Sequence, residues 1–261
     1  MRNIKAKRIV VKVGTNVLTG INGMLDPGNM QRLSSQISRI KNMGKDVMII
    51  TSGAIGAGMK ELHLNSKPRD VLMRQVCAAV GQNILMSKYY GLFSRYGVKI
   101  AQILLTYDAF TNKKVFKNFR NSLNKLLELG VVPIINENDP ISIDEIGPSF
   151  GDNDNLSALI ASKMNADLLI ILTDVDGLFN KNPDKKGAVL IEDVKIIDMH
   201  IKRLGGQPSK LGIGGMQSKI KAAEVATKKG VDVVIANGKK DNVLLRILDN
   251  ENVGTYFYSK K

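Results

Sequence analysis

"VMIITSGAIGAGM", residues 47–59, decides the fold class. Its opening run of Val47, Met48, Ile49 and Ile50 is apolar at every position, as a strand buried on both faces requires. Thr51 and Ser52 end the run. Gly53, Gly56 and Gly58 then form a glycine-rich turn into a helix. Strand, polar turn and helix in succession are half of a βαβ unit, the building block of a parallel sheet.

The same grammar recurs on either side. "RIVVKV" (8–13), "VKIAQILLT" (98–106), "VVPIIN" (131–136), "DLLIILT" (167–173) and "VDVVIAN" (231–237) read as further strands. Helical stretches lie between them. One opens at Asp26 with Pro27 in its first position and stops at Gly44. A long one is expected over 68–96, and another over 216–229 closed by Gly230. The tail "VGTYFYSKK" supplies one last strand. This order predicts an α/β fold with an open, mostly parallel sheet and helices on both faces.

Bulk composition narrows the function. The 261 residues fit one α/β domain, with no repeat or linker in view. The single cysteine, Cys77, rules out an internal disulfide and points to a reducing compartment. No apolar stretch approaches the ~20 residues of a membrane helix, and the basic N-terminus has no apolar leader core, so a cytoplasmic location is expected. Lys and Arg number 38 against 24 Asp and Glu, a formal charge of +14. That excess raises a nucleic-acid reading. Against it, only 5% of residues are aromatic and no arginine-rich tract occurs.

In open α/β sheets ligands bind beyond the carboxyl ends of the strands. Four such ends carry polar or glycine-rich motifs: "KVGTN" (12–16), "TSGAIGAG" (51–58), "NEND" (136–139) and "TDVDGLF" (173–179). One shared site is the simplest reading. Lys12 interrupts an apolar strand and must reach either water or an anion. The glycines of 53–58 are spaced in reverse of the dinucleotide fingerprint, and no P-loop motif occurs anywhere. Their turn suits a phosphate or carboxylate, with a plain tight turn as the alternative. "LGIGGMQSK" (211–219) is a second glycine-rich loop, and Lys219 falls in the first turn of the helix it opens. A cation there opposes the helix dipole and calls for a neighbouring anion. Two glycine-rich turns and two lysines suit a nucleoside triphosphate held without a P-loop.

Between residues 136 and 155 six acids gather with no base among them: Glu137, Asp139, Asp144, Glu145, Asp152 and Asp154. Asp154 is a candidate anchor for both lysines through charge-assisted hydrogen bonds. Asp139 and Asn153 are candidates for a substrate ammonium group. A calcium loop lacks the necessary ligand spacing, and a solvated acidic loop is the alternative. His63 and His200 stand outside these motifs and read as surface residues. No zinc set and no Ser/His/Asp or Cys/His nucleophile set is present.

With "KVGTNVLTG", "VMIITSGAIGAGM", "IINENDP", "GDNDNLSALIA", "TDVDGLF" and "GIGGMQSKIKAAEVA" in this order, the chain resembles the glutamate 5-kinases, a branch of the amino-acid kinase family. The resemblance implies a single-domain, three-layer α/β/α sandwich over residues 1–261. It implies transfer of the γ-phosphoryl group of ATP, with Mg2+, to the γ-carboxylate of L-glutamate, giving glutamyl 5-phosphate, the first step of proline biosynthesis. Glutamate would be bound by Ser52, Asp139 and Asn153. ATP would be bound by Lys12, Thr173, Asp174 and the loop of Ile213, Gly214, Gly215, Met216, Gln217, Ser218 and Lys219. Lys12 and Lys219 would stabilise the transferring group, organised by Asp154. No protein ligand for Mg2+ is identified.

Ile213 stands where the family usually has threonine, which removes one hydroxyl near the nucleotide. Many relatives also carry a C-terminal PUA domain, for which no room is expected after Lys261. The resemblance further implies a homo-oligomer, dimer or tetramer, feedback inhibition by proline, and coupling to a glutamyl phosphate reductase. Proline is expected to compete with glutamate beside residues 138–150, where Gly147 and Pro148 suggest a loop. Two other readings stay open: another carboxylate or nucleotide kinase of the family, and a non-catalytic regulator binding nucleic acid.

Overall fold

The computed structural model describes residues 2–20, 23–106, 108–141, 153–206 and 215–260. The strands are β1 (Arg8–Val13), β2 (Asp46–Ile50), β3 (Ile100–Leu105), β4 (Val132–Glu137), β5 (Leu168–Thr173), β6 (Asp193–Val194), β7 (Asp232–Asn237) and β8 (Thr255–Phe257). The first six helices are α1 (Thr15–Leu18), α2 (Pro27–Asn42), α3 (Ala54–Glu61), α4 (Val71–Ser94), α5 (Asp108–Thr111) and α6 (Lys113–Glu128). They are followed by α7 (Asn153–Lys163), α8 (Met199–Leu204), α9 (Met216–Thr227) and α10 (Val243–Leu248). The chain divides into two compact units, Gly14–Ile146 and Met1–Val13 with Gly147–Lys261.

In the unit Gly14–Ile146 the strand order is β3-β4-β2, parallel throughout, with Ile134 of β4 opposite both Gln102 and Ile49. Every residue of β4 is buried, which accounts for its apolar run. Helix starts follow local chemistry. The Asp26 carboxylate accepts from the Asn29 N–H at 2.7 Å ahead of α2, and Asp70 accepts from Met73 ahead of α4. The long helix expected over 68–96 therefore begins after Pro68, at its cap.

The glycines of 53–58 divide their work. Gly53 has φ +99° at the entry to α3, a conformation that disfavours side chains. Gly58 instead lets α3 cross α4 closely. A methyl there would overlap the Cys77 carbonyl, and one at Gly81 would overlap that of Ala54.

In the unit holding β1 the order is β1-β5-β7-β8-β6. β1, β5 and β7 are parallel, with Val10 opposite Leu169 and Leu169 opposite Val233. The expected tail strand is β8, and it runs antiparallel to β7, with Val234 opposite Tyr256. β6, a two-residue strand with no sequence signal, adds parallel to β8. The helix expected over 216–229 is α9, and Gly230 beyond it has φ +81°. Arg2, itself buried, donates to the Val253, Gly254 and Glu192 carbonyls at 2.6–3.0 Å. The N-terminus is thereby tied to the segment leading into β8.

Candidate active site

The carboxyl end of β1 places Lys12 one residue before the end of a strand that is apolar at Ile9, Val10, Val11 and Val13. Its side chain does not reach for water: Lys12 is 5% exposed, and its Nζ lies 2.6 Å from Asp154 Oδ1. Asp154 is the second residue of α7, where the helix dipole favours an acid, and it is wholly buried. Its other oxygen, Oδ2, accepts from Lys219 Nζ at 3.0 Å. Lys219 is the fourth residue of α9 and is 6% exposed. The anion required by a lysine in that first turn is thus supplied by the protein itself.

Ser218 Oγ lies 2.7 Å from the same Oδ2 and 2.8 Å from the Gly215 carbonyl. Its single hydroxyl proton serves one acceptor at a time. Sequence reasoning placed Ser218 only in the nucleotide loop; its tie to Asp154 had no local signal. Burial alone raises the Asp154 pKa, but the charges of Lys12 and Lys219 outweigh it and hold the carboxyl at about 2. Two cations around one anion leave one net positive charge in a dry setting. Such a setting strengthens attraction for an anionic group.

Thr173 ends β5, next to β1, in which Val13 pairs with Leu172. Thr173 is buried and donates through Oγ1 to Asp174 Oδ1 at 3.2 Å, while Asp174 is exposed. Gly215 caps α9, Met216 and Gln217 are its first two residues, and Gln217 is exposed. Asn153 begins α7 immediately before Asp154, in the same unit as both lysines. Ile213 and Gly214 lie outside the described residues, as do Asp144, Glu145, Gly147, Pro148 and Asp152.

Ser52 and Asp139 belong to the other unit. Ser52 is half-buried between β2 and Gly53, and the preceding Thr51 shares a 2.9 Å hydrogen bond with the Tyr89 hydroxyl. Asp139 opens a single 3-10 turn, Asp139–Ile141, directly after β4 and Asn138. A pocket of ≈ 420 Å³ in this unit is lined by Gln82, Asn83, Gln102, Glu137 and Asp139 among others. Its described lining carries two carboxylates and three side-chain amides and no cation. That lining favours an ammonium group with further hydrogen-bonding atoms. Gln82 Oε1 accepts from Asn136 Nδ2 at 3.0 Å at its edge, a pair that the sequence reading missed. Among the described residues no three His, Cys, Asp or Glu side chains gather to hold a metal ion. His63 and His200 are exposed.

The amino acid kinase family model matches residues 7–237, and so runs through both units. The chain belongs to the amino acid kinase family. This amino acid kinase is 46% identical over 258 residues to "Glutamate 5-kinase" of Methanococcoides burtonii, covering 98% of this chain and 69% of the relative. It is 46% identical over 260 residues to "Glutamate 5-kinase" of Clostridium perfringens, covering 98% of this chain and 97% of the relative. The fold of this amino acid kinase is also that of carbamate kinase from Giardia lamblia bound to AMP-PNP. That match has TM-score 0.70 and 17% identity over 98% of this chain and 99% of the other.

Proposed function

We propose that this amino acid kinase transfers the γ-phosphoryl group of MgATP to the γ-carboxylate of L-glutamate, releasing ADP and L-glutamyl 5-phosphate. The observation that carries the reading is Asp154 buried between Lys12 and Lys219. The relatives named glutamate 5-kinase support the choice of acceptor.

A carboxylate oxygen of glutamate attacks phosphorus as the bond to the bridging oxygen of ADP breaks. The nucleophile is already ionised at neutral pH, so no general base is needed. Transfer spreads negative charge over the equatorial oxygens, and the chief protein contribution is fixed positive charge. Lys12 and Lys219 supply it, and Asp154 fixes both ammonium groups while offsetting only one of their two charges. Magnesium enters with ATP as part of the co-substrate and draws charge from its phosphates.

Thr173, Asp174 and residues 213–219 hold the nucleotide in this reading. Ser52, Asp139 and Asn153 hold glutamate, with Asp139 accepting from the α-ammonium group. The two compact units are read as parts of one kinase domain, supported by the family model's span across both. A homo-oligomer, feedback inhibition by proline, and a reductase that consumes the reactive acyl phosphate belong to the same reading. A cytoplasmic location also fits: among the described residues no helix is long and apolar enough to cross a membrane.

The test is ADP release with glutamate, aspartate, acetylglutamate, carbamate and UMP as acceptors, with hydroxylamine to trap the acyl phosphate. Glutamate-dependent ADP release with a trapped γ-hydroxamate is expected. Release that depends on another acceptor instead identifies a different kinase of the family. Failure of every acceptor, together with tight binding of nucleic acid, identifies the regulator.

A further inference from the structure

Beyond the paired ends of β5 and β7 lies a polar network that phosphoryl transfer does not use. Thr173 and Asn237 are the last register partners of these strands. The Gly238 N–H donates to the Thr173 carbonyl at 2.8 Å, carrying the pairing into the turn after β7. From there Asn237 uses both ends of its amide. Its Nδ2 donates to Asp176 Oδ1 at 2.9 Å, and its Oδ1 accepts from the Lys239 N–H at 3.0 Å. The second Asp176 oxygen accepts from Lys240 Nζ at 2.7 Å. Hydrogen bonding to Lys240 is the main cause holding the Asp176 carboxyl below the ordinary aspartate range, so it is ionised at neutral pH.

These contacts join two loops into one frame at the carboxyl edge of the sheet. One loop carries Asp174 and Asp176, the other residues 238–242. The second is short and anchored beyond by α10, whose Val243 and Leu244 are fully buried. Asp174, bonded to Thr173, is the exposed carboxylate this frame presents. Asp176 and Lys240 have side chains 37% and 47% exposed, so as a surface pair they add little to global stability. Their effect is local order where a ligand is expected.

We propose that Asp176, clasped by Asn237 and Lys240, is a positioning residue for the nucleoside end of ATP, fixing the loop that presents Asp174. The proposal rests on the reading of Thr173 and Asp174 as nucleotide-binding residues. The clasp acts on the nucleoside and not on the phosphates, which in that reading face Lys12 near the end of β1 and Lys219 on α9.

The experiment compares Mg-ADP with Mg-tripolyphosphate, which has the phosphates and no nucleoside, by calorimetry on the full chain. Lys240→Met and Asp176→Asn are expected to weaken ADP binding about fivefold, the scale of a surface ion pair. Tripolyphosphate binding is expected to stay as in the parent, and Lys240→Arg to restore ADP binding. Asp174→Ala serves as the control. If it weakens ADP while the clasp variants do not, the clasp is only structural and the proposal fails while the nucleotide reading stands. If Asp174→Ala leaves ADP unchanged, the nucleotide reading of the β5 end fails and the clasp proposal with it. Equal weakening of ADP and tripolyphosphate in the clasp variants also overturns the proposal, because the loss is then general.

Discussion

Lys219 Nζ lies 3.0 Å from Asp154 Oδ2, and both residues are almost wholly withdrawn from solvent. A lysine on a surface helix is expected in water. This one is held inside by a carboxylate that Lys12 also holds, so removing either lysine leaves Asp154 one cationic partner.

Lys219→Ala removes one cation and leaves Asp154 paired with Lys12, so the fold is expected to survive. The lost charge acts chiefly as charge develops in transfer. A fall in kcat of about a hundredfold or more is expected, comparable to losing one oxyanion donor. Steady-state kinetics at saturating ATP and glutamate measure it. Full kcat in the variant makes Lys219 a structural lysine only.

Asp154→Asn strands two buried ammonium groups beside a neutral amide. Breaking a buried ion pair from one side costs about 3–5 kcal/mol. The expected outcome is a lower Tm with a large loss of kcat, while glutamate still binds by calorimetry. A variant with unchanged Tm contradicts the burial of the pair.

Acid should undo the same interaction. The folded-state pKa of Asp154, about 2, lies below the ordinary aspartate value. Its stabilisation, about 2–3 kcal/mol, is complete above roughly pH 4 and disappears as the pH falls from there towards 2. Denaturant unfolding from pH 5 to pH 2 should show the gap between parent and Asp154→Asn narrowing over that interval. A gap independent of pH contradicts the assignment.

Asp139→Ala should act on glutamate alone. A bond to the α-ammonium group exists before and during transfer, so its loss raises KM for glutamate more than it lowers kcat. A charged hydrogen bond of ~1.5–3 kcal/mol corresponds to a rise of roughly 10- to 150-fold. KM for ATP should hardly move. A parallel rise in both constants with a lower Tm makes the segment around Asp139 structural.

Gly81→Ala tests the helix crossing. The added methyl meets the Ala54 carbonyl, which is main chain and cannot swing aside. The expected cost is about 1–3 kcal/mol of overpacking strain, seen as a fall in Tm. Gly91→Ala on the same helix, where an added methyl meets nothing within 4 Å, should leave Tm unchanged or raise it. Equal effects at the two positions mean that α3 and α4 do not cross as described.

The sequence by itself determined the α/β class and the addresses of the polar motifs. Strands buried on both faces are largely apolar, so β1, β4 and β5 are legible as runs, and Asp26 and Pro27 mark a helix start by local bonding alone. β6 was not legible: two residues carry no period, and only the neighbouring β8 makes them a strand. What the tertiary structure decided is which distant ends meet. Residue periodicity records which faces are buried and not which strands are neighbours. β1 lies beside β5, and α7 packs against both β1 and α9, and these placements enclose Lys12, Asp154 and Lys219 together. The same reason hid the second role of the glycines at 53–58, since Gly58 answers to Cys77 on another helix. It also hid the Asp176 clasp, whose partners Asn237 and Lys240 lie 61 and 64 residues away in the chain. Side chains that far apart meet only because β5 and β7 pair, and strand pairing is a property of the whole fold.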